Sequence, residues 1–522
     1  MKIQNYVYGE WVDGKGDGAP LIDPVTGEEL ARASSDGVDL ARALDHARSK
    51  GGPALRAMSY GERGALLGKI NEVLATNRDK YADIALKNSG NTKIDAAIDI
   101  DGGTGTLFFY SRLAGKLGDA KYLADPGFER MAKDETFQGM HIWVPLHGAG
   151  IHINAFNFPS WGLWEKAAVS LLAGVPVFAK PATATCLLSY EMVRDVIEAG
   201  VVPDGALNLI CGGARDLMDH LTGADAIAFT GSADTANMLR GNKNLIASSA
   251  RFNAEADSLN MSLLGPDAKP GAAEFDLFVK EVSREMTVKA GQKCTAIRRA
   301  FVPTGILDDV IGALEARLAK TVTGDPRNET VRMGPLVNKA QQKVALDGIK
   351  QLSAEATVVT GGAEGFKPVD ADPKMSAFVA PTLLKCTDPR AAKAVHDIEV
   401  FGPACTVMPY DGTGDAIALA SRGGGSLAAS VFTGDDGFAN DISLGIAADH
   451  GRVLVVDEKV GDLQTGHGIV MPMCTHGGPG RAGGGEELGG TRGLRFYHQR
   501  TAIQARLDRL QTLADNAAQV TL

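Results

Sequence analysis

Residues 147–180, HGAGIHINAFNFPSWGLWEKAAVSLLAGVPVFAK, decide the fold of this 522-residue chain. His147–Ile153 reads as a strand, and Trp161–Leu172 carries apolar residues at helical spacing. Gly174 suits a helix stop because glycine enters the left-handed region without steric cost. Val175–Lys180 then reads as a second strand. Strand, helix and strand within about thirty residues make the βαβ unit of a parallel sheet.

The same alternation extends in both directions. Downstream, the helix Ser189–Ala199 is followed by the strand Ala206–Ile210. A short strand, Ala226–Phe229, then runs into Thr230-Gly231-Ser232, which has the character of a strand-to-helix turn. From Asn260 to about Val470 the pattern starts afresh and predicts a second α/β unit, whose first helix, about Glu274–Lys289, leads directly to Cys294. Leu507, Leu510 and Leu513 predict a terminal helix over Thr501–Val520. The expected class is α/β, in two or more domains, because a chain this long exceeds a single core.

Composition narrows the function. The formal charge of −10 argues against sequence-independent binding to nucleic acid or to anionic membrane. The longest apolar run, Ala167–Ala179, is interrupted by Ser170, Gly174 and Pro176 and is too short to span a bilayer. Met1–Tyr6 lacks the apolar stretch of a secretory leader, so a cytoplasmic protein is expected. The cysteines at 186, 211, 294, 386, 405 and 474 form no CxxC pair and no zinc-ligand spacing, which predicts neither a disulfide framework nor a bound metal. Small molecules are the expected partners.

Three residues suggest chemistry. Cys294, in Gly291-Gln292-Lys293-Cys294-Thr295, is a candidate nucleophile; an ordinary thiol is only slightly ionised at neutral pH, so donors or a nearby positive charge must help it. Asn157, just after a strand, can offer its side-chain amide beside the Cys294 N–H to a developing oxyanion. Glu255 can activate the water that releases a thioester. Each has a plainer reading, as a buried thiol, a turn asparagine and a surface carboxylate.

Taken in order, Asn157-Phe158-Pro159, Lys180-Pro181-Ala182, Phe229-Thr230-Gly231-Ser232, Glu255, Gly291–Cys294 and Glu399-Val400-Phe401-Gly402-Pro403 resemble the motifs of the aldehyde dehydrogenase superfamily. The resemblance implies that Cys294 is the nucleophile, Glu255 the general base and Asn157 the oxyanion donor. It implies that Lys180, with Ala182 and Thr183, meets the adenosine ribose of a nicotinamide cofactor, that Gly231 and Ser232 border its phosphates, and that Glu399 and Phe401 lie at the nicotinamide ribose. It further implies a Rossmann-type dinucleotide-binding domain (1–130 and 148–262), a catalytic domain (263–472), bridging or oligomerisation segments (131–147 and 473–522) and a homodimer or tetramer, of which the dimer is expected.

This chain departs from the family pattern in two places. Glu255-Ala256-Asp257-Ser258-Leu259 replaces Glu-Leu-Gly-Gly-Lys, and Ala236 stands where a glycine is usual. NAD-preferring members commonly carry a glutamate three residues after the lysine; Thr183 here would not repel a 2′-phosphate, so NADP is expected, with NAD possible. A narrower resemblance, in Glu255–Asn260, Gly291–Arg299 and the run His476–Gly490, is to enzymes that oxidise CoA-linked semialdehydes after aromatic-ring opening. It implies oxidation of such a semialdehyde to the acid through a cysteine thioester. The benzoate branch is favoured over the phenylacetate branch, whose members are usually fused to a hydratase-like domain. The glycine-rich run itself is expected to be a structural loop near the substrate mouth. An acylating dehydrogenase, a cysteine hydrolase using a histidine, and a catalytically silent protein are the competing readings. Glu255 argues against the first, and no histidine motif supports the second.

Overall fold

The computed structural model describes residues 1–362 and 366–520; the last two residues of the 473–522 segment and three within 263–472 lie outside them. Strands Asn5–Val7 (β1), Glu10–Val12 (β2), Gly150–Ile153 (β3), Val177–Lys180 (β4), Leu207–Leu209 (β5), Ala226–Thr230 (β6) and Arg251–Glu255 (β7) form one sheet in the order β7-β6-β3-β4-β5-β1-β2. Its five β3–β7 strands are parallel, and β1 and β2 pair antiparallel at one edge. Every residue of β3 and β5 is buried, as expected of parallel strands covered on both faces.

Strand order reverses beside β3: the chain steps to β4 and β5 on one side, then returns to β6 and β7 on the other. A crevice therefore opens at the carboxyl ends of these strands, where open α/β sheets bind ligands. Ile153 pairs with both Lys180 and Phe229, and Thr230 with Glu255, so these strand ends lie at one level.

The second sheet comprises Met261–Leu264 (β8), Arg299–Pro303 (β9), Thr357–Thr360 (β10), Thr382–Lys385 (β11), Ala404–Tyr410 (β12), Ser426–Phe432 (β13) and His450–Val456 (β14), ordered β10-β11-β12-β9-β8-β13-β14. Only β10 runs antiparallel. A small hairpin, Thr475–Gly477 (β15) with Glu486–Leu488 (β16), brackets the glycine-rich run. Helices Trp161–Ala173 (α1), Ala233–Arg240 (α2) and Ala273–Thr287 (α3) lead into or out of the crevice.

Two expectations need correction. His147 and Gly148 form a bend before β3, which starts at Gly150, and Gly148 packs so tightly that a Cβ would stand 2.3 Å from the Ala224 carbonyl oxygen. The terminal helix begins only at Leu507 (α4, Leu507–Asp515). Thr501–Arg506 belongs to a strand, His498–Arg506, paired antiparallel along its whole length with Phe137–Pro145.

Candidate active site

Cys294 lies on the connection between α3 and β9. Lys289, Ala290 and Gly291 all adopt left-handed conformations there, with φ of 53°, 51° and 68°. Such strain persists only where neighbours over-determine the backbone. Asp95 accepts from the Lys289 N–H at 2.8 Å, and the Arg298 guanidinium donates to Gly291 O at 2.9 Å and Gly402 O at 2.8 Å. A Cβ at Gly291 would sit 2.2 Å from Gly402 O, so glycine is required.

Asn260, fully buried just before β8, fixes the far side of the turn. Its Nδ2 donates to Cys294 O at 2.7 Å and Ala296 O at 3.0 Å, while Oδ1 accepts from Ser258 Oγ at 2.6 Å and the Ala428 N–H at 2.9 Å. One amide thus ties the Cys294 turn to β13 and to the segment that follows Glu255.

The thiol opens into a cavity lined by Asn157, Trp161, Glu255, Cys294, Val470 and His476. The three residues singled out for chemistry therefore meet in one space, although they come from the end of β3, the end of β7 and the α3–β9 connection. No hydrogen bond among the described residues engages the Asn157 side chain. Burial and the carboxylate of Glu255 push the Cys294 thiol well above its ordinary range, so it rests protonated.

The other residues singled out by resemblance lie along the crevice rim, outside that cavity. Lys180 ends β4, and burial holds its amine below the usual lysine range. Ala182 and Thr183 follow, with Thr183 Oγ1 donating to Gly212 O at 3.2 Å. Gly231 packs where a Cβ would stand 2.5 Å from the Phe229 ring, and Ser232 caps α2 by accepting from the Thr235 N–H. The N–H of Ala233, the first residue of α2, is taken by Asp257 Oδ1 at 2.9 Å, so Asp257, where the family pattern has glycine, closes part of that helix end. Glu399 accepts from the Ser258 N–H at 3.2 Å, and burial, opposed by Arg298, pushes it up to about 7. Phe401 meets Phe156 edge-on at 5.6 Å between ring centres.

Four residues that the sequence reading passed over complete the site. His476 Nε2 lies 3.1 Å from Glu255 Oε2, and its Nδ1 lies 3.7 Å from Glu165 Oε2. Glu165 approaches Lys166 Nζ at 3.3 Å, and Lys166 reaches Glu487 at 2.9 Å. The result is a buried series of alternating sign: Glu255, His476, Glu165, Lys166, Glu487. Burial opposes the charges of His476, Glu165, Lys166 and Glu487, but Glu255, Glu165 and Glu487 together push the His476 imidazole up to about 9, and Glu487 and Glu165 hold Lys166 charged. An imidazole held as a cation donates protons only, which argues against the cysteine-hydrolase reading. Glu165 and Lys166 left a trace in the sequence as a lone charged pair inside an otherwise apolar helix.

The glycine-rich run also has a firmer role than a loop at the substrate mouth. It lies against the strand that carries Glu255: Ala256 N–H donates to Ala482 O at 3.0 Å, and a Cβ at Gly483 would stand 2.1 Å from Ala254 O. Residues 476 and 487 face one another across its hairpin, which delivers His476 and Glu487 to the site together.

The aldehyde dehydrogenase family profile matches residues 11–503. The 3,4-dehydroadipyl-CoA semialdehyde dehydrogenase of Aromatoleum evansii is 56% identical over 479 residues, covering 92% of this chain and 93% of its own. Retinal dehydrogenase 2 of Mus musculus is 26% identical over 513 residues, covering 96% and 91%. Among solved structures, betaine aldehyde dehydrogenase of Staphylococcus aureus in complex with NAD+ superposes with a TM-score of 0.83 at 24% identity, covering 96% of this chain and 94% of that one, which speaks to the fold. With a family match across most of its length and the expected α/β architecture, the chain belongs to the aldehyde dehydrogenase family.

Proposed function

We propose that the protein oxidises a CoA-linked aliphatic semialdehyde, 3,4-dehydroadipyl-CoA semialdehyde, to its carboxylic acid, with NADP as the cofactor, in aerobic benzoate breakdown. The observation that carries the chemistry is the convergence of Cys294, Glu255 and Asn157 on one cavity; the substrate rests on the relative that is 56% identical over nearly the whole chain.

The crevice residues suit a dinucleotide. Glu399 Oε1 and Thr230 Oγ1 are buried without a hydrogen-bonding partner, and a ribose or amide donor would satisfy both. The start of α2 has the N–H groups and dipole that favour phosphate, although Asp257 must yield part of that end. Thr183 leaves room for a 2′-phosphate without a repelling carboxylate. A nicotinamide held by Glu399, Thr230 and the start of α2 would supply the hydride acceptor. Residues 1–130 and 148–262 would form its domain, 263–472 the catalytic one, and 131–147 with 473–522 the bridge to a second subunit.

The residues divide the work as follows. Cys294 gives up its proton through Glu255 to solvent and attacks the aldehyde carbon. The Asn157 amide and the Cys294 N–H hold the oxyanion, which polarises the carbon for hydride loss and leaves a thioester on Cys294. Glu255 then takes a proton from water, the hydroxide attacks the thioester, and Cys294 leaves with the acid released. His476 stands beside Glu255 as a cation that offsets its buried charge. A homodimer in the cytoplasm is the setting we favour: β14 ends its sheet with Val455 exposed, and such edges are usually covered.

The test is kcat/KM for NADP reduction with the CoA-linked semialdehyde against the free semialdehyde, repeated with NAD. A strong preference for the CoA form and for NADP is expected. Equal rates with the free aldehyde would leave the thioester chemistry standing and remove the pathway.

A further inference from the structure

Three side chains of different donor chemistry meet at the cavity floor: the Cys294 thiol, a Glu255 carboxylate oxygen and a His476 ring nitrogen, all within 4.8 Å of one another. They come from three separate stretches of chain, which is why no cysteine spacing announced them. His476 is only 8% exposed, and neither of its ring nitrogens makes an aligned hydrogen bond, although Nε2 lies 3.1 Å from Glu255.

We propose that Cys294, Glu255 and His476 form a reversible binding site for zinc that shuts the enzyme. Thiolate, imidazole and carboxylate are the zinc donor set, with bonds of about 2.0–2.3 Å, so tetrahedral ligand atoms stand about 3.3–3.8 Å apart. The present triangle, with its ligand atoms within 4.8 Å of one another and His476 already 3.1 Å from Glu255, closes to that size by small side-chain rotations. The fourth position faces the open cavity and takes water. Behind the histidine, Glu165 lies 3.7 Å from Nδ1, the carboxylate that commonly orients a zinc-bound imidazole. On binding, the thiol proton and the second imidazole proton leave to solvent, and nothing is oxidised or reduced. The metal covers the sulfur that must reach the aldehyde and the carboxylate that must activate water. The site needs no resident metal: it is complete in the free enzyme and is lost when substrate occupies the cavity.

The loss of activity rests on Cys294 being the nucleophile, but metal binding does not, so the two can be read apart. The whole purified protein is titrated with cobalt(II) chloride, and the thiolate-to-cobalt charge-transfer band and tetrahedral visible bands are followed; zinc chloride is then added to displace the cobalt. Cys474 is exposed and lies two residues from His476, so Cys474→Ser serves as the control. One cobalt per chain with a thiolate band is expected, retained in Cys474→Ser and lost in Cys294→Ser. His476→Gln should weaken binding at least as much as loss of an orienting partner does, about tenfold to a hundredfold, with Glu165→Gln smaller. Circular dichroism checks the fold of each variant, and His476→Asn stands in if Gln misfolds. Parallel assays should show zinc inhibition competitive with aldehyde and reversed by a chelator. A thiolate band that survives Cys294→Ser, affinity unchanged in both His476 variants, or no stoichiometric cobalt binding overturns the proposal.

Discussion

Asn260 offers the sharpest test of how the fold holds the Cys294 turn. Replacing it with alanine removes four hydrogen bonds at once and strands the buried Ala296 O and Ala428 N–H and the part-buried Cys294 O. An unsatisfied buried polar group costs about 1–3 kcal/mol, so three of them give a loss of about 3–6 kcal/mol after partial relaxation. Urea unfolding at constant protein concentration measures it. Because the bond to Cys294 O is part of the loss, the rate of Cys294 alkylation by iodoacetamide should change as well. Asn260→Asp separates the two ends of the amide: it keeps the acceptor for Ala428 but loses both donors, and it should stay unstable. A loss below about 1 kcal/mol, or an Asp variant as stable as the parent, would refute the assignment of the amide as the tie.

Cys294→Ala should abolish turnover, while Glu255→Gln should complete the first half-reaction and accumulate a thioester visible by intact-protein mass spectrometry; full steady-state activity in Glu255→Gln would remove it as the base. His476 is raised from 6.5 to about 9, so its contribution to stability is complete below pH 6.5 and is lost as pH rises through about 9. That is on the order of 3 kcal/mol, and melting temperature should fall across this window in the parent and stay flatter in His476→Gln. Thr183→Glu should shift the kcat/KM ratio toward NAD by at least about tenfold, through repulsion of the 2′-phosphate. Gly483→Ala should perturb Glu255 from outside the cavity, lowering kcat more than it raises KM, because its Cβ cannot share space with Ala254 O.

The parallel sheets were legible because buried strands are short apolar runs, and β3, β4 and β6 come within a few residues of their expected limits. Pro176 falls outside the strand, which starts at Val177 rather than Val175, since proline brings no N–H to a ladder. Thr501–Arg506 gives no strand signal locally, because its residues are mostly exposed and look like the approach to a helix; only pairing with Phe137–Pro145, hundreds of positions away, makes it a strand. The site divides similarly. Cys294, Glu255 and Asn157 stand in motifs that local sequence displays. His476 and Asn260 act through long-range contacts: His476 through a hairpin whose glycines permit approach to β7, and Asn260 through carbonyls 34 and 36 residues along the chain.

The resting charges explain why these additions matter to the chemistry. Cys294 faces the carboxylates of Glu255, Glu165 and Glu399, which together with burial keep it a thiol. His476 and Lys166, both held charged, alternate with the acidic side chains of Glu255, Glu165 and Glu487, so acidic groups outnumber basic ones in the series beside Cys294. A thiolate formed there would add negative charge to an already acid-rich site. Positive charge must therefore arrive from the crevice side, or a carboxylate must take the thiol proton, and Glu255 is placed to receive it. Either route would make a Cys294 thiolate available only when the site is engaged, and would spare it from oxidation otherwise. Removing the charge of His476 should then raise the barrier to thiolate formation, so His476→Gln should slow Cys294 alkylation at neutral pH, whereas a purely structural role would leave that rate to follow stability alone.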